Sequence, residues 1–142
     1  MRTKMKIEEL KIENTLIELL GIETLELTPE RVVMKMPIGP RVHQPYGILH
    51  GGASVVLAES AASIGSVLHC NLEEKYPVGM EINANHVRPK KDGYVVAEAT
   101  PLHKGQTTMV WDIKIRDEEE RLVCVSRCTV AFVENKKRTT KE

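Results

Sequence analysis

Hydrophobic spacing divides the chain into blocks. Between residues 6 and 20 the apolar positions Ile7, Leu10, Ile12, Leu16, Ile17, Leu19 and Leu20 recur at broadly helical intervals, and Gly21 follows where a C-terminal cap belongs. Ile22 to Thr28 and Arg31 to Ile38 then predict two strands about a Thr28-Pro29-Glu30 turn, with Val32, Met34 and Met36 alternating against Val33, Lys35 and Pro37. Gly39 to Tyr46 contains Pro40 and Pro45 and reads as a loop. From Gly51 to Leu68 every residue is Gly, Ala, Ser, Val, Leu or Ile except Glu59, and a helix is expected from about Gly52 to Leu72. Beyond Tyr76-Pro77 the period becomes two. It predicts strands over Ile82 to Arg88, Tyr94 to Leu102, Met109 to Ile115 and Leu122 to Val133, the last apolar enough for burial on both faces.

The order is helix, two strands, long helix, four strands, without internal repeat. Consecutive strands with one apolar helix imply an antiparallel sheet wrapped around that helix, an α+β layout of the hot-dog type. A chain of 142 residues holds one such domain, with a core over about residues 16–134 and peripheral ends. The apolar run is shorter than the ~20 residues a membrane span needs, and it carries Glu59 and several serines, so a buried core helix is expected rather than a membrane anchor.

Charge narrows the function classes. Net charge is zero, so no global basic field recruits nucleic acid, and the basic Lys136-Lys137-Arg138 reads as a solvated end. Met1 to Lys11 is charged throughout, unlike a secretory leader, and the cysteines are three: Cys70, Cys124 and Cys128. A cytoplasmic location with reduced thiols is the expectation. Cys124 and Cys128, four apart in a strand, share a face as small core residues.

A lone carboxylate in an apolar helix costs several kcal/mol unless it is paired or used, which marks Glu59 as a candidate for chemistry. Ser63 is four residues on, so the two share a helix face and can hold one water. Gly51 and Gly52 open the helix, where unpaired N–H groups and the positive dipole end stabilise a developing oxyanion. Gly51 and Glu59 lie eight residues apart, about 12 Å along one helix, too far to serve one carbonyl carbon. Glu59 is therefore expected to act with Gly51 of a second subunit across antiparallel helices, in an obligate dimer. His43 and His50 have no recognisable zinc spacing, and no metal is expected. No phosphate-binding glycine loop or Gly-x-Ser-x-Gly elbow occurs.

The stretch Gln44-Pro45-Tyr46-Gly47-Ile48-Leu49-His50-Gly51-Gly52-Ala53-Ser54 with Glu59 and Ser63 resembles the hot-dog acyl-CoA thioesterases. So do Gly79 to Arg88, Pro101-Leu102-His103-Lys104-Gly105 and Arg121-Leu122-Val123-Cys124. The branch matched holds 1,4-dihydroxy-2-naphthoyl-CoA hydrolase together with the enterobactin proofreading and phenylacetate-pathway thioesterases. The resemblance implies that Glu59 is the catalytic nucleophile or general base and that the Gly51 N–H polarises the thioester carbonyl. It implies that His50 and Gln44 orient that carbonyl and that Ser63 helps place water. It assigns Gly79, the segment His86, Val87, Arg88 and Pro89, and the segment His103, Lys104, Gly105, Gln106, Thr107 and Thr108 to the coenzyme A arm. Arg88 and Lys90 suit its phosphates. No separate cofactor is implied, coenzyme A being part of the substrate. An aryl or hydroxyaryl acyl group is expected, with dihydroxynaphthoyl-CoA of menaquinone synthesis the leading candidate, in a dimer or a tetramer built as a dimer of dimers. The competing reading is a non-catalytic module that binds acyl-CoA.

Overall fold

A computed structural model of the chain describes residues 5–136. The N-terminal segment forms a 3-10 turn at Ile7–Glu9 and a one-turn helix, α1 (Leu16–Leu19). The expected helix over 6–20 is thus broken, because Asn14 takes a positive φ of 61° and Thr15 starts a new turn by accepting from the Glu18 N–H at 3.5 Å. Local bonding by the Thr15 hydroxyl, with the Asn14 N–H donating to Glu18 Oε1 at 3.2 Å, defeats a pattern that spacing alone favours. Gly21, at φ 69°, ends α1 as expected.

Six strands make one sheet: β1 (Glu23–Thr28), β2 (Arg31–Pro37), β3 (Lys75–His86), β4 (Tyr94–Lys104), β5 (Thr108–Asp117) and β6 (Leu122–Glu134). Their order is β1-β2-β4-β5-β6-β3, and all five pairings are antiparallel. The long helix α2 (Gly51–Val67) packs across β2 to β6, which is the hot-dog arrangement. Trp111, Leu57, Met34, Met36, Met109, Ile113 and Ile115 are all fully buried between helix and sheet. Each such side chain contributes roughly 1.5–3 kcal/mol on leaving water. Gly65 lets the two layers approach: a methyl group there would come within 2.6 Å of the Trp111 ring and 2.7 Å of Val32. Trp111 Nε1 donates to Ser66 Oγ at 2.9 Å, and Ser66 Oγ donates to the Ala62 carbonyl at 2.8 Å, so the buried indole is satisfied.

Two boundaries and one burial pattern differ from the sequence expectation. The helix stops at Val67 rather than near Leu72, because Asn71 Oδ1 accepts from the Glu73 N–H at 3.1 Å and turns the chain. Strand β3 begins at Lys75, seven residues before Ile82. Pro77 is tolerated there since β3 is a sheet edge, where a missing N–H can face outward. Strand β6 buries Cys124, Ser126, Cys128, Val130 and Phe132 on one face; on the alternate face only Val123 is buried, and Arg127 is exposed. The basic residues beyond Lys136 and the first four residues lie outside the described residues.

Candidate active site

The loop leading into α2 is tied down at several points. Leu49 N–H donates to the Lys90 carbonyl at 2.7 Å, His50 N–H to the Val42 carbonyl at 2.8 Å, and Gln44 N–H to the Ile48 carbonyl at 2.8 Å. His43 Nε2 lies 2.8 Å from the Lys91 carbonyl. At the tip, Gly47 takes φ 78°, and the Tyr46 N–H donates to Gln44 Oε1. That bond fixes which end of the Gln44 amide is oxygen and leaves its NH2 group for other partners.

His50 caps the helix. Its Nδ1 accepts from the Gly52 N–H at 2.8 Å, so a neutral ring carries its proton on Nε2. Ala53 and Ser54 N–H groups donate back to the His50 carbonyl. The Gly51 N–H makes no hydrogen bond among the described residues and stands at the positive end of α2. The His86 ring leans on Gly51, such that a methyl group at 51 would sit 2.7 Å from His86 Nε2. A cavity of about 350 Å³ opens here, lined by Gln44, Ile48, Leu49, Gly51, Ser54, His86, Val87, Arg88, Pro89 and Val123. Sequence reasoning missed Ser54 in this wall, although it lies three residues after Gly51 and hence on the same helix face.

Glu59 lies two turns further along α2, at the middle of the helix and only partly buried. Its carboxyl group rests against Gly79 of β3. Cys128 on β6 feels it as well: burial, then the charges of Glu59 and Glu81, push that thiol up to about 12. Ser63 follows one turn on, also partly exposed. On α2 the residues Val55, Val56, Glu59, Ser60, Ser63, Ile64 and Val67 are left incompletely covered by their own chain.

The expected coenzyme A segments separate. His86, Val87, Arg88 and Pro89 lie at the N-terminal end of α2. Arg88 is exposed and makes no ion pair among the described residues. Lys90, expected beside it, is already engaged within the chain. It pairs with Glu118 at 2.5 Å with only 11% of its side chain exposed, and this ammonium holds the Glu118 carboxyl below the usual carboxylate range. His103 to Thr108 form the β4–β5 turn, closed by Gly105 N–H donating to the Thr108 carbonyl at 2.8 Å. There Lys104 and Gln106 line a second hollow of about 440 Å³ with His69 and Cys70 from the C-terminal end of α2. Within one chain, then, the residues expected to share a substrate lie at both ends and the middle of a single helix.

A larger hollow of about 550 Å³ on the outer sheet face is lined by Arg31, Glu98 and Arg116 among others, but Arg31 already holds Glu26 and Glu98 at 2.6 Å each. Among the described residues no group of three or more His, Cys, Asp or Glu is able to hold a metal ion. No helix among them is long and apolar enough to cross a membrane.

Residues 46–124, more than half of the chain, match the family described as the thioesterase superfamily. The chain belongs to the thioesterase superfamily. A Listeria monocytogenes relative named 1,4-dihydroxy-2-naphthoyl-CoA hydrolase is 48% identical over 120 residues, covering 84% of this chain and 97% of the relative. A Bacillus subtilis relative, whose name says esterase and gives no substrate, is 52% identical over 122 residues, covering 86% of this chain and 97% of the relative. The crystal structure of a mutant thioesterase from Pseudomonas aeruginosa superposes with a TM-score of 0.91 at 41% identity, covering 94% of this chain and 98% of that one. This thioesterase is a hydrolase of thioesters, and the family match spans both the Gly51 helix start and Glu59.

Proposed function

We propose that the thioesterase hydrolyses an aryl or hydroxyaryl acyl-CoA, of the 1,4-dihydroxy-2-naphthoyl-CoA kind, in a site shared by two subunits. The observation that carries this reading is the unpaired Gly51 N–H at one end of α2 with the Glu59 carboxyl group about 12 Å along the same helix. Two such helices set antiparallel bring the Gly51 of one chain opposite the Glu59 of the other. The same arrangement brings the His103–Thr108 turn of one chain toward the Arg88 end of its partner. The incompletely covered side of α2 and the exposed Tyr76, Val78 and Met80 of edge strand β3 supply apolar surface for that pairing.

In this site the Gly51 N–H, supported by the Gln44 amide and His50 Nε2–H, polarises the thioester carbonyl. Glu59 takes a proton from a water placed with Ser63 while that water attacks the carbonyl carbon, or attacks it directly to give an anhydride that water then opens. Either way the C–S bond breaks, the sulfur leaves as coenzyme A thiol, and the acyl group leaves as a carboxylic acid. Arg88 takes a phosphate of the coenzyme. The acyl preference rests on relatives named for a dihydroxynaphthoyl substrate.

The test is thiol release from a panel of acyl-CoAs with the wild type and Glu59→Ala. An aryl-CoA turned over rapidly, and at least ~10³-fold more slowly by the variant, is the expected result. Coenzyme A binding with no release from any substrate would replace this reading with a binding module.

A further inference from the structure

Gly79 sits on edge strand β3 with its α-carbon against the Glu59 carboxyl group. A methyl group at this position would overlap Glu59 Oε2 and lie 2.9 Å from the carboxyl carbon and 3.3 Å from Cγ. The backbone does not itself require glycine here: positive φ values occur at Gly21, Gly47 and Gly93, not at Gly79. The pairing of β3 with β6 shifts register between Gly79 and Glu81, a bulge of the kind that bends a strand beside a functional group. The contrast with Gly65 is instructive. A methyl group at 65 meets the Trp111 ring and Val32, both fixed in the core, whereas at 79 it meets the end of a flexible side chain on an exposed edge. Added bulk at 79 is relieved by swinging the carboxylate away, with little cost to folding.

We infer that Gly79 is a positioning residue for Glu59: its missing side chain is the space in which the carboxylate is held, and its role is not a contact with the coenzyme. This rests on the catalytic role proposed for Glu59. Gly79→Ala is expected to fold and to lower kcat by about 10²-fold with little change in KM, the scale on which ångström displacements of a reacting group act.

The experiment is a double-mutant cycle read by thiol release and thermal unfolding, using wild type, Gly79→Ala, Glu59→Asp, the double variant and Glu59→Ala. Aspartate is shorter by one methylene, so its carboxyl carbon takes the place of Glu59 Cγ, 3.3 Å from the added methyl group, and the overlap with Oε2 is relieved. In the Glu59→Asp background the Gly79→Ala step is therefore expected to change kcat by less than about threefold, a strong coupling between the two positions. A Gly79→Ala protein that folds only in the aspartate background reports the same collision and supports the inference. An equal fall in kcat in both backgrounds, a rise in KM alone, or failure to fold in both would overturn it. Wild-type turnover by Glu59→Ala would instead remove the role assigned to Glu59. An inactive Glu59→Ala with uncoupled positions would overturn the Gly79 inference alone.

Discussion

His50 joins the stability of α2 to the proposed chemistry in one ring. Its Nδ1 is committed to the Gly52 N–H, which both caps α2 and holds the proton on Nε2. His50→Ala is expected to lower stability by about 0.5–2 kcal/mol through the lost cap. His50→Asn restores a capping oxygen without the Nε2–H donor, so thermal unfolding should recover while kcat stays depressed. Equal recovery of both would remove the carbonyl-orienting role. Cys128 illustrates a different consequence of burial. Fully enclosed and next to Glu59, it has a thiol pushed up to about 12, so in the folded protein it stays protonated and is expected not to react with thiol reagents at neutral pH. Its folded value lies above the unfolded one, so its contribution to stability is complete below the ordinary thiol range near 8.5 and falls as pH rises toward 12. Mass spectrometry after timed alkylation tests the first point, and melts across alkaline pH the second. Candidate residues were legible where a side chain broke the local pattern, as Glu59 does in its apolar run. Ser54 was not, because a serine in a helix of serines carries no contrast.

The β5–β6 hairpin shows how an element can depend on a single acid. Asp117 is buried, with Oδ1 accepting from the Glu119 and Arg121 N–H groups at 2.9 Å each and Oδ2 from Arg121 Nε at 2.8 Å. Burial pushes its carboxyl up, but the Arg121 backbone and side chain and the Glu119 N–H outweigh burial and hold it below the ordinary value. A lowered folded value means that its stabilising effect is present above the unfolded Asp range, near 3.9, and is lost as pH falls through the folded value. The melting temperature of Asp117→Asn is therefore expected to lie below wild type at pH 7, and the gap to narrow on acidification. A constant gap would show that the hairpin does not depend on this ionisation. The tip also matters to the candidate site, since Glu118 grips Lys90 in the segment that follows Pro89. Sequence alone read Lys90 as suited to the phosphates of the coenzyme; its partner Glu118 lies on another hairpin, at a separation that spacing rules do not reach. Likewise the sequence placed the strand only beyond Tyr76-Pro77, because the edge position that tolerates Pro77 is a property of the sheet.

For the whole molecule the decisive question is whether one chain holds a complete site. In random dimers of Glu59→Ala and Gly51→Val subunits, half are mixed, and each mixed dimer has one site with both native groups. Co-expression of the two inactive variants is thus expected to restore about a quarter of wild-type activity. Valine at 51 meets the His86 ring, so this variant disables its site by geometry. No restored activity, with mixed dimers demonstrated, would place the whole site within one chain. Charges introduced on the exposed edge, such as Val78→Lys with Met80→Lys, should weaken association in sedimentation and lower activity in step.

By itself the sequence determined the α+β hot-dog layout, the long helix, the glycine start and the lone acid, because each is written in local periodicity or in local contrast. Charge and composition also narrowed the partners it can take. Only the tertiary structure decided that Lys90 is tied to Glu118, that Gly79 receives the Glu59 carboxyl group, and that the segments expected to hold the coenzyme stand at opposite ends of α2. Those are contacts between residues distant in the chain. They follow from strand order and register, which the sum of all side-chain packing sets and no short stretch of sequence carries.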